Sequence, residues 1–452
     1  MKTIRFYVLG FGLWLWLGQL AQAGTHTVTQ TNDSFTAHSL RAAIMAVNRN
    51  GGRQLIVLSR PRGQQTNAPL VFYLSRGGAD EDKARTGDLD IRKGRVTIMG
   101  NEPVTIDASA LGDRVFQIFP KASLTLVNVT IIGGSAPGNG SSYLDNGESG
   151  GAFFNAGSLT LVDCNIIGNQ SGAGNEPMGN IGGTSGGDGG GIYNTGKLTM
   201  VNCVLTENAA GNGVDGAPGG KGGGIMNDGS CWLTNCMFAG NAGGDGGAPS
   251  GNLNGWAGSG GVGGAICNAG TMILSGCTVT NNWSGLGKDG GQWSGWINGI
   301  NIGSPGAGGG DGGGIYNSGG LVLDSCVVSG NQSGNGGNAV HASGGSGGNG
   351  AGIFNSGQVS LQSSLITENR CGDGGNGGTG YAEFLLPAGN GGNGGSGGGI
   401  YNAANLSDVG IVNSLIQQNA VGLGGAGGTY FGGTTNGVPG MDGVGPDLGG
   451  NY

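Results

Sequence analysis

Apolar residues in this chain come in short bursts at every second position, and the bursts repeat. GGGIYN stands at Gly189–Asn194, Gly312–Asn317 and Gly397–Asn402, with variants ending at Asn155, Asn227, Asn268 and Asn355. A second burst follows each time, as in KLTMVNCVLTEN from Lys197 to Asn208. Aligned, the copies give fixed columns. Phe153, Ile192, Ile225, Ile266, Ile315, Ile353 and Ile400 form one apolar column. An Asn column lies two residues on: Asn155, Asn194, Asn227, Asn268, Asn317, Asn355, Asn402. A small-residue column reads Cys164, Cys203, Cys236, Cys277, Cys326, Ser364, Ser414, and each copy closes on Asn169, Asn208, Asn241, Asn282, Asn331, Asn369 or Asn419.

A period of two predicts strands with alternate residues inward. One such unit cannot bury its apolar side, whereas stacked units can, each column becoming a buried ladder. The pattern therefore predicts an all-β parallel β-helix, a solenoid with one unit per coil. Asn at a bend tolerates unusual backbone angles, and stacked amides hydrogen-bond along a column. An eighth, degenerate copy runs from Ile118 to Gly134, and Val96–Ser109 reads as a further coil. Residues 24–95 read as an N-terminal cap, with Ser39–Asn48 as a short amphipathic helix over the open end of the core. Residues 96–420 hold the repeats and residues 421–452 a Gly-rich C-terminal segment.

Composition sharpens this picture. Of 111 glycines, 98 lie beyond residue 121, mostly between the closing Asn of one unit and the start of the next. These inserts project from one corner of the coil and define one face. Triplets such as GDGGNGGTG (Gly372–Gly380) allow packing as polyproline-II-like strands, the alternative being solvated loops. Residues 1–121 carry 15 Lys and Arg against 9 Asp and Glu, while the remainder carries 4 against 18. Nucleic acid is thereby disfavoured as a partner, since phosphate binding needs clustered cations. Lys2 and Arg5, an apolar run from Phe6 to Leu20 and Ala21-Gln22-Ala23 have the layout of a secretory signal peptide over residues 1–23. The expected product is secreted or held at the cell surface, with no membrane span after cleavage.

Candidate chemistry is sparse. Cys164, Cys203, Cys236, Cys277 and Cys326 share one inward column, where parallel Cβ vectors favour a thiol stack over disulfides. Cys371, in an insert, is expected to be exposed. Histidine occurs only at His26, His38 and His341. Scattered acids such as Asp163, Glu207, Asp324 and Glu368 are candidates for a carboxylate pair across coils. No resident cofactor is expected; calcium is a candidate through Asp188, Asp311, Asp245 and Asp373 on glycine turns. Trp256, Trp283, Trp293 and Trp296 lie in or beside two consecutive inserts. They are candidates for stacking on sugars or for pinning the inserts together.

The segment Thr27–Asn48, with Ser39, Leu40, Arg41 and Ala43, resembles the N-terminal segment of secreted bacterial right-handed parallel β-helix proteins of the pectate-lyase-like superfold. His38 and Ala42 depart from that segment's usual Cys and Glu. The GGGIYN units and Phe238–Asn241 are similar to repeats of polymorphic outer-membrane, adhesin-like β-helices. The resemblance implies a right-handed coil and export, and leaves activity open because this fold hosts many functions. Lyases of the superfold use an Arg or Lys base with calcium on several Asp, and the coils here hold one Arg, Arg370. The expectation is a non-catalytic exported interaction protein, adhesin-like or glycan-binding, whose partner is a polysaccharide or a surface protein. A polysaccharide lyase or glycoside hydrolase is one alternative. A self-associating extracellular structural protein is another.

Overall fold

The computed structural model describes residues 24–450, apart from 62, 64–67, 79–81, 139–144, 177–181, 250–255, 298–299, 385, 406–407 and 434; nothing is described of the side chains of 292–302, Phe384 and Gly450. Residues 1–23, where the export signal is expected, lie outside the described residues. Among the described residues no helix is long and apolar enough to cross a membrane.

Each unit folds into three short strands separated by tight bends. In one coil they are Ile192–Asn194, Lys197–Val201 and Val204–Thr206. Each pairs in parallel with its counterpart one coil away, residue for residue: Ile192 with Ile225, Leu198 with Cys231, Leu205 with Phe238. The first strands stack into a ten-stranded parallel sheet ending at Leu448–Gly450, and the other two build a nineteen-stranded sheet. It is a parallel β-helix. A right-handed crossover is the hand that twisted parallel strands favour.

Alternation puts Leu198, Met200, Leu205 and their counterparts inside, and most of these are wholly buried. Left-handed bends come one residue before the small-residue column and before the closing asparagines. Asp163, Asn202 and Asn235 precede the cysteine column with φ of 52°, 53° and 51°, and Glu207, Asn281 and Glu368 precede the closing asparagines with φ of 57°, 51° and 57°. The ladder asparagines are not themselves left-handed. They are buried, and their amides bond from coil to coil. Nδ2 of Asn155, Asn194, Asn227, Asn268, Asn317 and Asn355 each donates to Oδ1 of the next Asn, ending at Asn402, over 2.6–2.9 Å. The closing asparagines form a second such ladder from Asn169 to Asn419, and Asp447 accepts its last bond at 2.9 Å.

Helix α1 (Leu40–Asn50) closes one end. The Ser39 hydroxyl caps its N-terminus, accepting from the Ala42 amide, and Leu40, Ile44 and Val47 face the core. Arg41 is wholly buried, paired with Asp33 at 2.6 Å and donating to the Gly87 carbonyl at 2.9 Å. Strands β1 (Gly24–Val28) and β2 (Arg53–Leu58) continue the large sheet beneath the helix.

Among the described residues the inserts are packed, which decides between the two alternatives left by the sequence. Gly372, Gly375 and Gly378 run antiparallel to Gly395, Gly392 and Gly389, which donate to their carbonyls at 2.8–2.9 Å. The next coil repeats this: Gly422, Gly425 and Gly428 donate to Gly395, Gly392 and Gly389. The triplets use all three directions of a three-fold extended strand. In Asn376-Gly377-Gly378 the amides bond to Asn338 Oδ1 in the preceding coil, Ala426 O in the following coil, and Ala342 O in the facing strand. Water-exposed loops would leave these donors to solvent. Here one glycine per triplet brings two backbones together, and an Asn, Asp or Ser at the first position supplies the side-chain acceptor.

Candidate functional site

The cysteine column is a stack of buried free thiols. Cys164, Cys203, Cys236 and Cys326 each donate to the carbonyl two residues back at 3.2–3.3 Å, as the Ser364 hydroxyl does to Gln362 at 2.9 Å. That shared bond explains why serine can replace cysteine. The Cys203 and Cys326 thiols are pushed up by hydrogen bonds to Cys164 and Cys277, and then by burial. Neutral thiols of this kind are inert.

Cys371 is a correction: it is wholly buried, with Sγ donating to the Ser396 carbonyl at 3.2 Å. The insert it opens is packed bundle rather than solvated loop. Burial pushes its thiol up to about 11.

The scattered acids do not converge. Asp163, Glu207 and Glu368 occupy left-handed bends and are exposed. Arg370 pairs with Asp373, both oxygens at 2.8 Å. His341 Nδ1 lies 2.8 Å from the Thr379 carbonyl, its ring edge-on to Tyr381. Among the described residues, no three His, Cys, Asp or Glu side chains come together as a metal site. The carboxylates on glycine turns act as rungs. Asp188 Oδ1 accepts from the Lys221 amide, Asp245 Oδ1 from Leu286 and Asp311 Oδ1 from Asn349, at 2.6–2.9 Å.

Burial raises the Asp311 carboxyl to about 6, against an ordinary 3.8. The folded state then holds its proton more tightly than the unfolded chain, so this residue's contribution to stability is greatest below about pH 4. It is lost as pH rises through about 6, a change on the order of 3 kcal/mol. Asn349 and Ser396 fill the next two rungs without charge. Asp311→Asn is therefore expected to stabilise the protein above pH 7 and to flatten its stability between pH 4 and 6, as read by urea unfolding at several pH values.

Of the four tryptophans singled out, Trp256 is 64% exposed and borders a recess of about 420 Å³ with Asn146, Thr184, Asp215 and Pro218. Trp283 is exposed and stands between Ala242 and Gln332 in successive coils. Trp293 and Trp296 lie on the strand Gln292–Ile297, paired antiparallel with Ile300–Gly303; their side chains lie outside the described residues. At the insert tips, Tyr381 and Phe431 stack on each other with centroids 5.7 Å apart. The facing rings bind insert to insert.

A larger concavity than the Trp256 recess lies at another corner. A groove of about 840 Å³ runs over successive coils from β2 to Ser230, beside the turns that join the first and second strands. Its floor includes Thr97, Thr125 and Thr160, one above another in register. Arg53, Arg95, Lys121 and Lys197 line it, and no carboxylate does among the described residues. The same outward column continues through Thr199 to Trp232, which is 42% exposed. Alternation could have found Trp232, because Cys231 and Leu233 on either side point inward. The groove itself was not legible, since its cations come from three strand starts (Arg53, Arg95, Lys197) and one turn (Lys121) far apart in sequence.

Solved structures with similar chain traces include the pectate lyase Pel9A, with a TM-score of 0.31 at 13% identity, covering 86% of this chain and 79% of that one. Others are an iota-carrageenase of family GH82 from A. fortis (0.28, 13%, 83% and 59%) and ORF18 of Geobacillus virus E2 (0.31, 11%, 93% and 64%). No family model matches the chain, and neither does any curated protein.

Proposed function

We propose that this chain is an exported, non-catalytic β-helix that binds a linear acidic glycan along the groove. The carrying observation is the groove lining: Arg53, Arg95, Lys121 and Lys197 with no carboxylate, on a molecule of net charge −8. A concave site of one sign concentrates an anionic ligand of the other. A ladder of Thr hydroxyls along the floor offers a hydrogen-bonding group at every coil, about 4.8 Å apart. Trp232 at the far end supplies an apolar face of the kind that stacks on a pyranose ring. Among the described residues the groove holds no acid pair, which favours binding over hydrolysis, a reaction that needs two carboxylates about one bond.

Calorimetry with a polyuronate and with a neutral glucan tests this. The polyuronate is expected to bind, and more weakly at 0.5 M than at 0.05 M salt. Lys121→Glu with Lys197→Glu should weaken it by about tenfold or more, roughly 1.4 kcal/mol. Equal binding of the glucan, or indifference to the charge reversals, would remove the reading. Release of new reducing ends or unsaturated products would replace it with the enzymatic one.

A further inference from the structure

We propose that the groove is polarised and takes a block glycan, with acidic groups bunched over the cap end and neutral pyranoses running on to Trp232. This rests on the glycan-binding reading of the groove and adds to it how charge is distributed along the ligand. The register of the coils gives the order. Arg53, Arg95, Ser123, Ser158, Lys197 and Ser230 stand one above another on successive coils. Lys121 lies in the turn just before Ser123. Three of the four lining cations therefore fall on the first three coils.

The cap end carries more positive charge than its lining alone. Arg92 and Lys93 belong to the turn between Leu89–Ile91 and the strand that begins at Arg95, and both are exposed. The Arg92 amide donates to Asn48 Oδ1 at 3.0 Å, which ties this turn to α1. Arg49, in the last turn of α1, is exposed as well. Among the described residues no ion pair engages Arg49, Arg92, Lys93, Arg95 or Lys121. Charges of one sign on adjacent coils concentrate an anionic ligand at that end.

Past Lys121 the character changes. Among the described residues Lys197 is the one cation that follows in the lining. The outward column then passes from Thr125 through Thr160 and Thr199 to Trp232, three coils further on. That is about 14 Å at the spacing of parallel strands. Asp228 is exposed in the turn just before Ser230, and its carboxylate accepts from the Tyr193 hydroxyl at 2.8 Å. A carboxylate there repels an anionic group, while the exposed Trp232 indole offers its face to a neutral ring. A uniformly charged chain would bring acid groups up to Asp228 and Trp232. A block glycan places them only where the cations are.

Calorimetry on the full chain tests the polarity with four probes: cellohexaose, cellohexaose phosphorylated at one end, cellobiose phosphorylated in the same way, and hexagalacturonate. The phosphorylated hexamer is expected to bind about tenfold or more tighter than cellohexaose, and tighter than the hexauronate. Trp232→Ala should weaken the phosphorylated hexamer about tenfold and leave the phosphorylated dimer unchanged. Lys121→Glu should weaken both phosphorylated probes more than Lys197→Glu does, by about fivefold or more. All three side chains are on the surface, and circular dichroism is expected to match the parent. Hexauronate bound more tightly than the end-charged hexamer, or equal effects of the two charge reversals, would overturn the polarity and leave acidic-glycan binding standing. Binding of neither charged hexamer would remove the groove reading together with it.

Discussion

Gly285→Ala is expected to destabilise the protein by about 3 kcal/mol or more, at or above the usual range for overpacking. Three residues after each closing Asn stands a glycine: Gly172, Gly211, Gly244, Gly285, Gly334, Gly372 and Gly422. A Cβ on Gly285 would fall far inside contact distance of the Gly244 carbonyl oxygen, with the Gly261 amide close behind. Neither neighbour is a side-chain end that can swing away. The Gly285 amide donates to Gly261 and its carbonyl accepts from Gly310, both at 2.8–2.9 Å. Separating the strands by a methyl group would break the amide chain running from insert to insert. Gly320→Ala is the control, because nothing lies within 4 Å of a Cβ there and its φ is not left-handed. It is expected to change stability by less than about 0.5 kcal/mol. Urea unfolding of the two variants side by side gives the answer. Similar midpoints would mean that the glycine column tolerates a side chain and that the bundle is looser than its hydrogen bonds imply.

The coil was legible because Leu198, Met200 and Leu205 and their counterparts repeat at period two, a local signal that stacking multiplies. The short amphipathic helix could be read from its own helical spacing; Ser39, which the sequence places inside it, is its N-cap. The inserts were harder. Glycine permits both a solvated loop and close backbone packing, and the deciding groups, such as the Asn338 acceptor for Asn376, sit in a neighbouring coil. Cys371 shows the cost of that ambiguity: its surroundings follow from the packing of the insert and not from its sequence neighbours. The groove cations were hidden in another way. Arg53, Arg95, Lys121 and Lys197 are spread along the chain, and only coil stacking aligns them.

Asn241→Ala removes one rung from the second amide ladder, and a loss of about 3–6 kcal/mol is expected. Asn241 Oδ1 accepts from the amide and the Nδ2 of Asn208 at 3.1 and 3.0 Å, while its Nδ2 donates to the Leu205 carbonyl and to Asn282 Oδ1, both at 2.9 Å. Alanine takes the acceptor from the Asn208 amide and one bond each from Asn208 Nδ2, which keeps the Ile166 carbonyl, from the Leu205 carbonyl and from Asn282 Oδ1, which keeps the residue-241 amide, at about 1–3 kcal/mol for each group left unsatisfied. Asn241→Asp separates the roles. A carboxylate can still accept from Asn208, yet it turns an oxygen toward the Leu205 and Asn282 oxygens and carries a buried charge. At pH 7 it is expected to cost more than alanine. Its folded pKa would be raised by that burial and by the facing oxygens. The variant should accordingly gain stability as pH falls through the folded value, where the protonated acid can donate, and lose it as pH rises. The chain contains its own comparison at Asp447. That residue ends the ladder and accepts from the Asn419 amide and Nδ2 without having to donate onward. Asp is therefore admissible at the last rung, and Asp447→Asn should change stability by less than about 1 kcal/mol. Denaturant unfolding at pH 5 and pH 8 distinguishes the cases. An Asn241→Asp variant as stable as the parent at both values would show that the ladder's direction, donor to acceptor along the axis, contributes nothing to holding the coils in register.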